Sequence, residues 1–167
     1  MPVAQHESQR VQAPLTQIQR LDNTDLATAQ GIHRLLQAAH AQESQTLGAE
    51  PGPAPAVQQI QASADVHLGA LEQGVLVGVV AVGPHEDPCQ LELKWLAVST
   101  ACQRRGIGRA LVNRVLASGM ATFVVTVAQA NTGALALYRG MGFVQSRSGV
   151  LGEQGIPVFR LCAHRWP

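Results

Sequence analysis

Leu91-Glu92-Leu93-Lys94-Trp95-Leu96-Ala97-Val98 runs, four residues later, into Gln103-Arg104-Arg105-Gly106-Ile107-Gly108-Arg109. This stretch decides the fold. The first half is an apolar strand. The second half is a turn rich in arginine and glycine that opens an amphipathic helix, with Ile107, Leu111 and Val115 on one face and Val112 and Leu116 beside them. Glycine lets backbone N–H groups approach a ligand, and a helix start carries partial positive charge. Three arginines add full charges at the same place. The combination points to a bound pyrophosphate or similar polyanion.

Upstream, Thr16 to Leu21 alternates apolar and polar residues as a strand does, and Asn23 or Thr24 is placed to cap a helix ending near Gln45. Leu26, Leu35, Leu36 and Ala39 are expected on the inward side of that helix. Gly48 to Pro55, with its prolines and glycines, is a loop, either a surface connection or a cover over a substrate pocket, and a helical turn follows near Val57 to Ala62. Val66–Leu71 and Val75–Val82, joined through Gln73-Gly74, form a hairpin. The strand from Gln90 to Val98 pairs back on it. Residues 92, 94, 96 and 98 are expected to share one face.

Downstream, Thr122 to Val127 is apolar enough to be buried on both faces, and the helix before it makes it a parallel neighbour. A helix from Asn131 to Gly140 and a closing hairpin of residues 142–147 and 157–162 complete the chain. The predicted fold class is α+β, a mixed, mostly antiparallel central sheet flanked by helices on both faces.

Composition narrows the rest. The 167 residues suit one domain, expected over 15–167 behind a flexible tail of residues 1–14. With 46% hydrophobic and 14% charged residues and a net charge of +1, nothing argues for nucleic acid or an anionic membrane as partner. No segment is long enough to span a bilayer. Cys89, Cys102 and Cys162 form no disulfide or zinc pattern, so a cytoplasmic protein is expected, with no metal. His33 and His40 lie about 10 Å apart along one helix, too far to share a zinc ion. Trp95 and Trp166 are packing residues, as is Cys102 in preference to a covalent acyl carrier. No Walker run occurs, and Leu111 holds the place where a dinucleotide fingerprint needs its third glycine.

Gln103-Arg104-Arg105-Gly106-Ile107-Gly108 resembles the Q/R-x-x-G-x-G/A motif of the GNAT acyltransferase superfamily. Asn131-Thr132-Gly133-Ala134-Leu135-Ala136-Leu137-Tyr138-Arg139-Gly140-Met141-Gly142-Phe143 is similar to that family's N-x-x-A-x-x-x-Y-x-x-x-G-F. The two motifs stand in the family's order, with one helix and one strand between them. Thr100 departs from the proline often found in relatives.

The resemblance implies acetyl-CoA as cosubstrate and an amine as acceptor, attacking directly in a ternary complex. It implies that the amides of Gln103 to Arg109 hold the CoA pyrophosphate, that the Arg104 and Arg105 side chains help with the 3′-phosphate, and that Leu96, Ala97 and Val98 pair with the pantetheine arm. Asn131 and Ala134 would flank that arm, Asn131 also capping its helix, and the backbone N–H near Val98 would meet the oxyanion. Tyr138 would face the thioester sulfur as a hydrogen-bond donor. Glu92 is the candidate base, working through water, with Glu72, Glu86, Asp87 and His67 as substitutes and bulk water as the alternative. A homodimer is a family-level expectation. A non-catalytic CoA-binding or regulatory domain is the competing function, and a structural protein with an incidental glycine turn is a third. The acceptor carries no readable code.

Overall fold

A computed structural model describes residues 15–48, 52–119 and 121–165. The expected N-terminal tail and Trp166 lie outside the described residues. In chain order the elements are β1 (Thr16–Arg20), α1 (Leu26–Leu47), α2 (Val57–Ala62), β2 (Val66–Glu72), β3 (Val75–Pro84), β4 (Gln90–Val98), a 3-10 turn (Thr100–Cys102), α3 (Ile107–Leu116), β5 (Thr122–Ala128), α4 (Thr132–Arg139), β6 (Val144–Leu151) and β7 (Ile156–His164). They form one seven-stranded sheet in the order β1-β2-β3-β4-β5-β7-β6, antiparallel except where β4 meets β5. The α+β reading holds, with helices on both faces.

Each face has its own core. On one side Ile107, Leu111, Val112 and Val115 of α3 and Leu135 and Tyr138 of α4 pack on Val80, Leu93, Phe123, Val125 and Leu161. On the other, Ala29, Ile32 and Leu36 of α1 and Ile60 of α2 pack on Val79 and Ala97. Gly78 admits α3 closely: a Cβ there would sit 3.1 Å from both Ile107 and Leu111. The β2–β3 hairpin turns through Gln73 (φ 50°) and Gly74 (φ 80°), both left-handed, as a two-residue turn with the native strand twist requires.

Three local expectations need correction. Asp25, not Asn23 or Thr24, caps α1, its carboxylate accepting from the Thr28 amide at 2.9 Å. Asn23 instead donates to the carbonyls of Ile60 and Ser63, closing the end of α2. Leu26, directly after this cap, faces outward (55% exposed), and Ala29, Ile32 and Leu36 face inward. Finally, β6 and β7 are longer than predicted. They meet across residues 152–155, and β7 inserts between β5 and β6.

The most consequential correction lies in β4. Its register against β3 shifts between Ala81 and Val82: Ala81 pairs with Trp95 but Val82 pairs with Leu93, leaving Lys94 as the extra residue of a bulge. Lys94 reaches Asp65 at 2.8 Å. Gly83 accommodates this pair, since a Cβ there would overlap the Asp65 carboxylate. The bulge reverses the alternation. Leu96 and Val98 face α3, while Glu92, opposite Gly83, lies on the face of Trp95 and Ala97 beneath α1 and α2. Residues 92 and 96 therefore do not share a face.

His67, 3% exposed on β2, is a buried titratable group. Burial pushes its pKa down, with the carbonyl and charge of Asp65 pulling weakly the other way. The folded state thus favours neutral imidazole. That stabilisation is complete above the unfolded value of about 6.5 and is lost as pH falls through the lower folded value. Urea unfolding is expected to give lower stability at pH 5 than at pH 7.5, with a shallower slope over that range in His67→Leu.

Candidate active site

β4 and β5 pair only at Gln90–Thr122, Leu91–Phe123 and Glu92–Val124. Beyond Glu92 the strands separate, and the β5 side of Leu93 to Val98 has no strand partner among the described residues. A cavity of about 630 Å³ occupies this wedge. Leu96, Ala97 and Val98 line it from β4, residues 102–104 and 106–109 from the turn and α3, and Asn131, Gly133, Ala134, Ala136 and Leu137 from α4. The C-terminal half of α1 closes the remaining side through Ala39, Gln42, Glu43 and Thr46.

The turn is built to present N–H groups. Gly106 caps α3 with φ 81°, and Arg104 is also left-handed at φ 63°. For arginine that conformation costs about 1–2 kcal/mol. Among the described residues, the six amides from Arg104 to Arg109 have no intramolecular acceptor; the Ala110 amide is the first to bond, to the Gly106 carbonyl at 2.9 Å. Amides unpaired at a helix start, with alternating turn conformations before it, form an anion-binding concavity. The Gln103 amide is different, lying 3.5 Å from the Thr100 carbonyl, so the free run starts one residue later than expected.

The arginines divide. Arg104 and Arg109 line the cavity. Arg105 does not; it forks onto Glu72, Nη2 to Oε1 at 2.7 Å and Nη1 to Oε2 at 3.1 Å. Thr16 donates to the same carboxylate at 2.7 Å. Thr16 first, then Arg105, hold the Glu72 carboxyl below its usual range. These bonds engage the Arg105 guanidinium and the Glu72 carboxylate with each other, and neither side chain lines the cavity.

The other carboxylates sort by position. Asp87 holds the β3–β4 turn by accepting from the Cys89 amide and Gln90. Glu92 is half-buried on the α1 face and does not line the cavity. Glu43 does line it, and is the single carboxylate to do so among the described residues. It accepts from Asn131 Nδ2 at 3.3 Å, while Asn131 Oδ1 caps α4 at the Ala134 amide. Gln42 and Gln103 exchange reciprocal hydrogen bonds of 3.2 and 2.9 Å, joining α1 to the turn. Sequence reasoning missed Gln42 and Glu43, whose partners are 61 and 88 residues away. The length of α1 past Ala39 was the available signal.

Tyr138 is 3% exposed and packs edge-on against Phe143 at 5.2 Å. It does not line the cavity, although its neighbours Ala134 and Leu137 do. Its hydroxyl has no hydrogen-bond partner among the described residues. Burial pushes the phenol well above its ordinary pKa, keeping it protonated. Cys102 lines the cavity as a free thiol. His33 and His40 bond instead to the carbonyls of Pro55 and Gly52, tying the following loop to α1, and His40 stacks obliquely on Trp95.

A sequence profile described as Acetyltransferase (GNAT) family matches residues 28–143, from α1 through the end of the second motif. The chain belongs to the GNAT family. Over 82 residues this GNAT protein is 40% identical to N-acetyltransferase family 8 member 3 of Rattus norvegicus, covering 44% of this chain and 36% of that protein. Over 102 residues it is 36% identical to N-alpha-acetyltransferase RimI of Mycobacterium tuberculosis, covering 58% of this chain and 64% of that protein. It thus spans about a third of the rat relative and under two thirds of the mycobacterial one. The fold is shared with the ribosomal-protein-S18-alanine N-acetyltransferase of Escherichia coli, at TM-score 0.68 and 19% identity over 90% of this chain and 94% of that one. It is likewise shared with an aminoglycoside 6′-N-acetyltransferase complexed with coenzyme A, at TM-score 0.69 and 16% identity over 90% and 98%. Among the described residues no cluster of metal-ligating side chains occurs, and no helix is long and apolar enough to cross a membrane.

Proposed function

We propose that this GNAT protein is an N-acetyltransferase that moves an acetyl group from acetyl-CoA to a primary amine. The observation carrying this reading is the run of unpaired amides from Arg104 to Arg109 at the mouth of the wedge between β4 and β5. In it the diphosphate of CoA lies on those amides, with Arg104 and Arg109 supplying the charge. The pantetheine arm lies along Leu96, Ala97 and Val98 as an added strand, flanked by Asn131 and Ala134. The fit is favourable. Among the described residues the β4 edge is free on that side, and Gly108 leaves ordinary contact room, a Cβ there lying 3.7 Å from Leu137.

The chemistry is attack of a neutral amine on the thioester carbonyl. A C–N bond forms, the C–S bond breaks, the amine gives up a proton and the thiolate leaves. An amine with a lysine-like pKa lies about three units above neutrality, so deprotonation costs on the order of 4 kcal/mol at pH 7. Glu92, on the α1 face where the sheet opens, receives that proton through water. Glu43 gives the otherwise cationic cavity one negative wall, which favours an acceptor arriving as an ammonium ion. The backbone N–H near Val98 serves the oxyanion. Tyr138 donates a hydrogen bond to the departing sulfur and keeps its own proton, as its raised pKa requires.

Two measurements test the proposal. Acetyl-CoA at 100 times its dissociation constant is expected to stabilise the protein by about 2.7 kcal/mol, read as a thermal shift. A panel of amines should then release free thiol from acetyl-CoA. Binding without thiol release from any amine would leave a non-catalytic CoA-binding domain; no thermal shift would remove CoA altogether.

A further inference from the structure

We infer that Glu72 is a positioning residue for the anion-binding turn: through its fork onto Arg105 it holds the left-handed conformations that aim the free amides. This rests on the proposed CoA reading. Arg104 and Gly106, on either side of Arg105, are both left-handed, and Arg104 has no glycine-like freedom to be so. Such backbone persists only where its surroundings over-determine it. The tertiary contact made by the side chain between them is the two-point bond from Arg105 to Glu72. Thr16 orients the carboxylate from the neighbouring strand, where Thr16 and Glu72 are register partners.

The electrostatics support the same conclusion. A carboxylate near a diphosphate site opposes anion binding unless a cation neutralises it, and the Glu72 side chain is only 9% exposed. Paired with Arg105 it adds no net charge to the site. The pair therefore acts on the geometry of the turn, and the cations left to face the ligand are Arg104 and Arg109. Released from Glu72, Arg105 would let the turn relax toward right-handed backbone, rotating the amides of residues 104–106 out of convergence.

Calorimetric titrations with CoA and dephospho-CoA (which keeps the diphosphate), and saturation-transfer NMR titrations with pantetheine, which lacks it, test this. Glu72→Gln is expected to weaken CoA and dephospho-CoA alike by about fivefold, with pantetheine unchanged. Adding Arg105→Gln should weaken binding no further, because the two side chains act as one unit. Thr16→Val, which keeps the ion pair and is the milder variant, should weaken CoA about twofold. Wild-type affinity for CoA in both Glu72→Gln and Thr16→Val overturns the inference, as does an equal loss for pantetheine, which would mark general destabilisation. A wild-type protein that binds no CoA overturns the underlying reading instead.

Discussion

Tyr138→Phe is expected to lower turnover about 100-fold while leaving CoA affinity within about twofold of wild type. A hydrogen bond that forms only as charge develops on the leaving sulfur acts on the transition state and not on ground-state binding, and such donors are commonly worth two to three powers of ten. The substitution removes one oxygen that has no protein partner among the described residues. It keeps the ring that packs edge-on against Phe143. Stability should hence change little near neutral pH. At high pH the sign is fixed by the raised phenol pKa. The folded state favours the neutral phenol, so stability is complete below the unfolded value of about 10 and declines as pH climbs from there toward the folded value. Tyr138→Phe should flatten that decline. Thiol release under saturating acetyl-CoA, beside calorimetric CoA binding, separates the effects. Turnover within threefold of wild type would reduce Tyr138 to a packing residue.

Most of the fold was legible because local pattern and tertiary demand agree. The meander from Val66 to Val98, the glycine turn and the face of α3 all carry their periodicity in the chain. What was not legible depended on distant partners. Nothing near Lys94 announces a bulge. It is accompanied by a salt bridge to Asp65 and by the missing side chain of Gly83, and it sends Glu92 to the opposite face. Asn23 looks like a cap from its sequence position, yet its amide serves α2. The placement of β7 between β5 and β6 reflects competition for the open edge of β5, which short-range alternation does not encode.

The same distinction governs the site. Its proposed phosphate end starts from a local signal, the glycine turn and helix start that supply the amides, although the distant pairing of Arg105 with Glu72 braces that turn. The rest of the cavity is assembled from α1, β4 and α4, and Glu43 enters it because a long helix crosses the wedge to reach Asn131. The two motifs therefore identify the family and say nothing about the acceptor. Solved structures named for an S18 alanine and for an aminoglycoside accordingly share this fold.

Gly108→Val asks whether the glycine turn is needed by the protein or by its ligand. At Gly106, φ 81° disfavours any side chain, so a substitution there strains the fold and its effect on binding is ambiguous. Gly108 lies within α3 with helical backbone, and a Cβ meets Leu137 at 3.7 Å, Val98 at 3.8 Å and Leu96 at 4.0 Å, all ordinary contacts. The fold alone does not require glycine at this position. A valine is stiff, however, and its methyl groups must project into the cavity rim where the proposed diphosphate meets the amides of Ile107 to Arg109. Overfilling a fitted site by such a volume costs about 1–3 kcal/mol, so CoA affinity should fall about 5- to 150-fold. The ligand-free melting temperature should drop by no more than about 4 °C, the equivalent of roughly 1 kcal/mol in a domain of this size. Loss of affinity with the melt preserved assigns the glycine to the ligand. Unchanged CoA binding would place the diphosphate elsewhere and leave the free amides of this turn without the role given to them here.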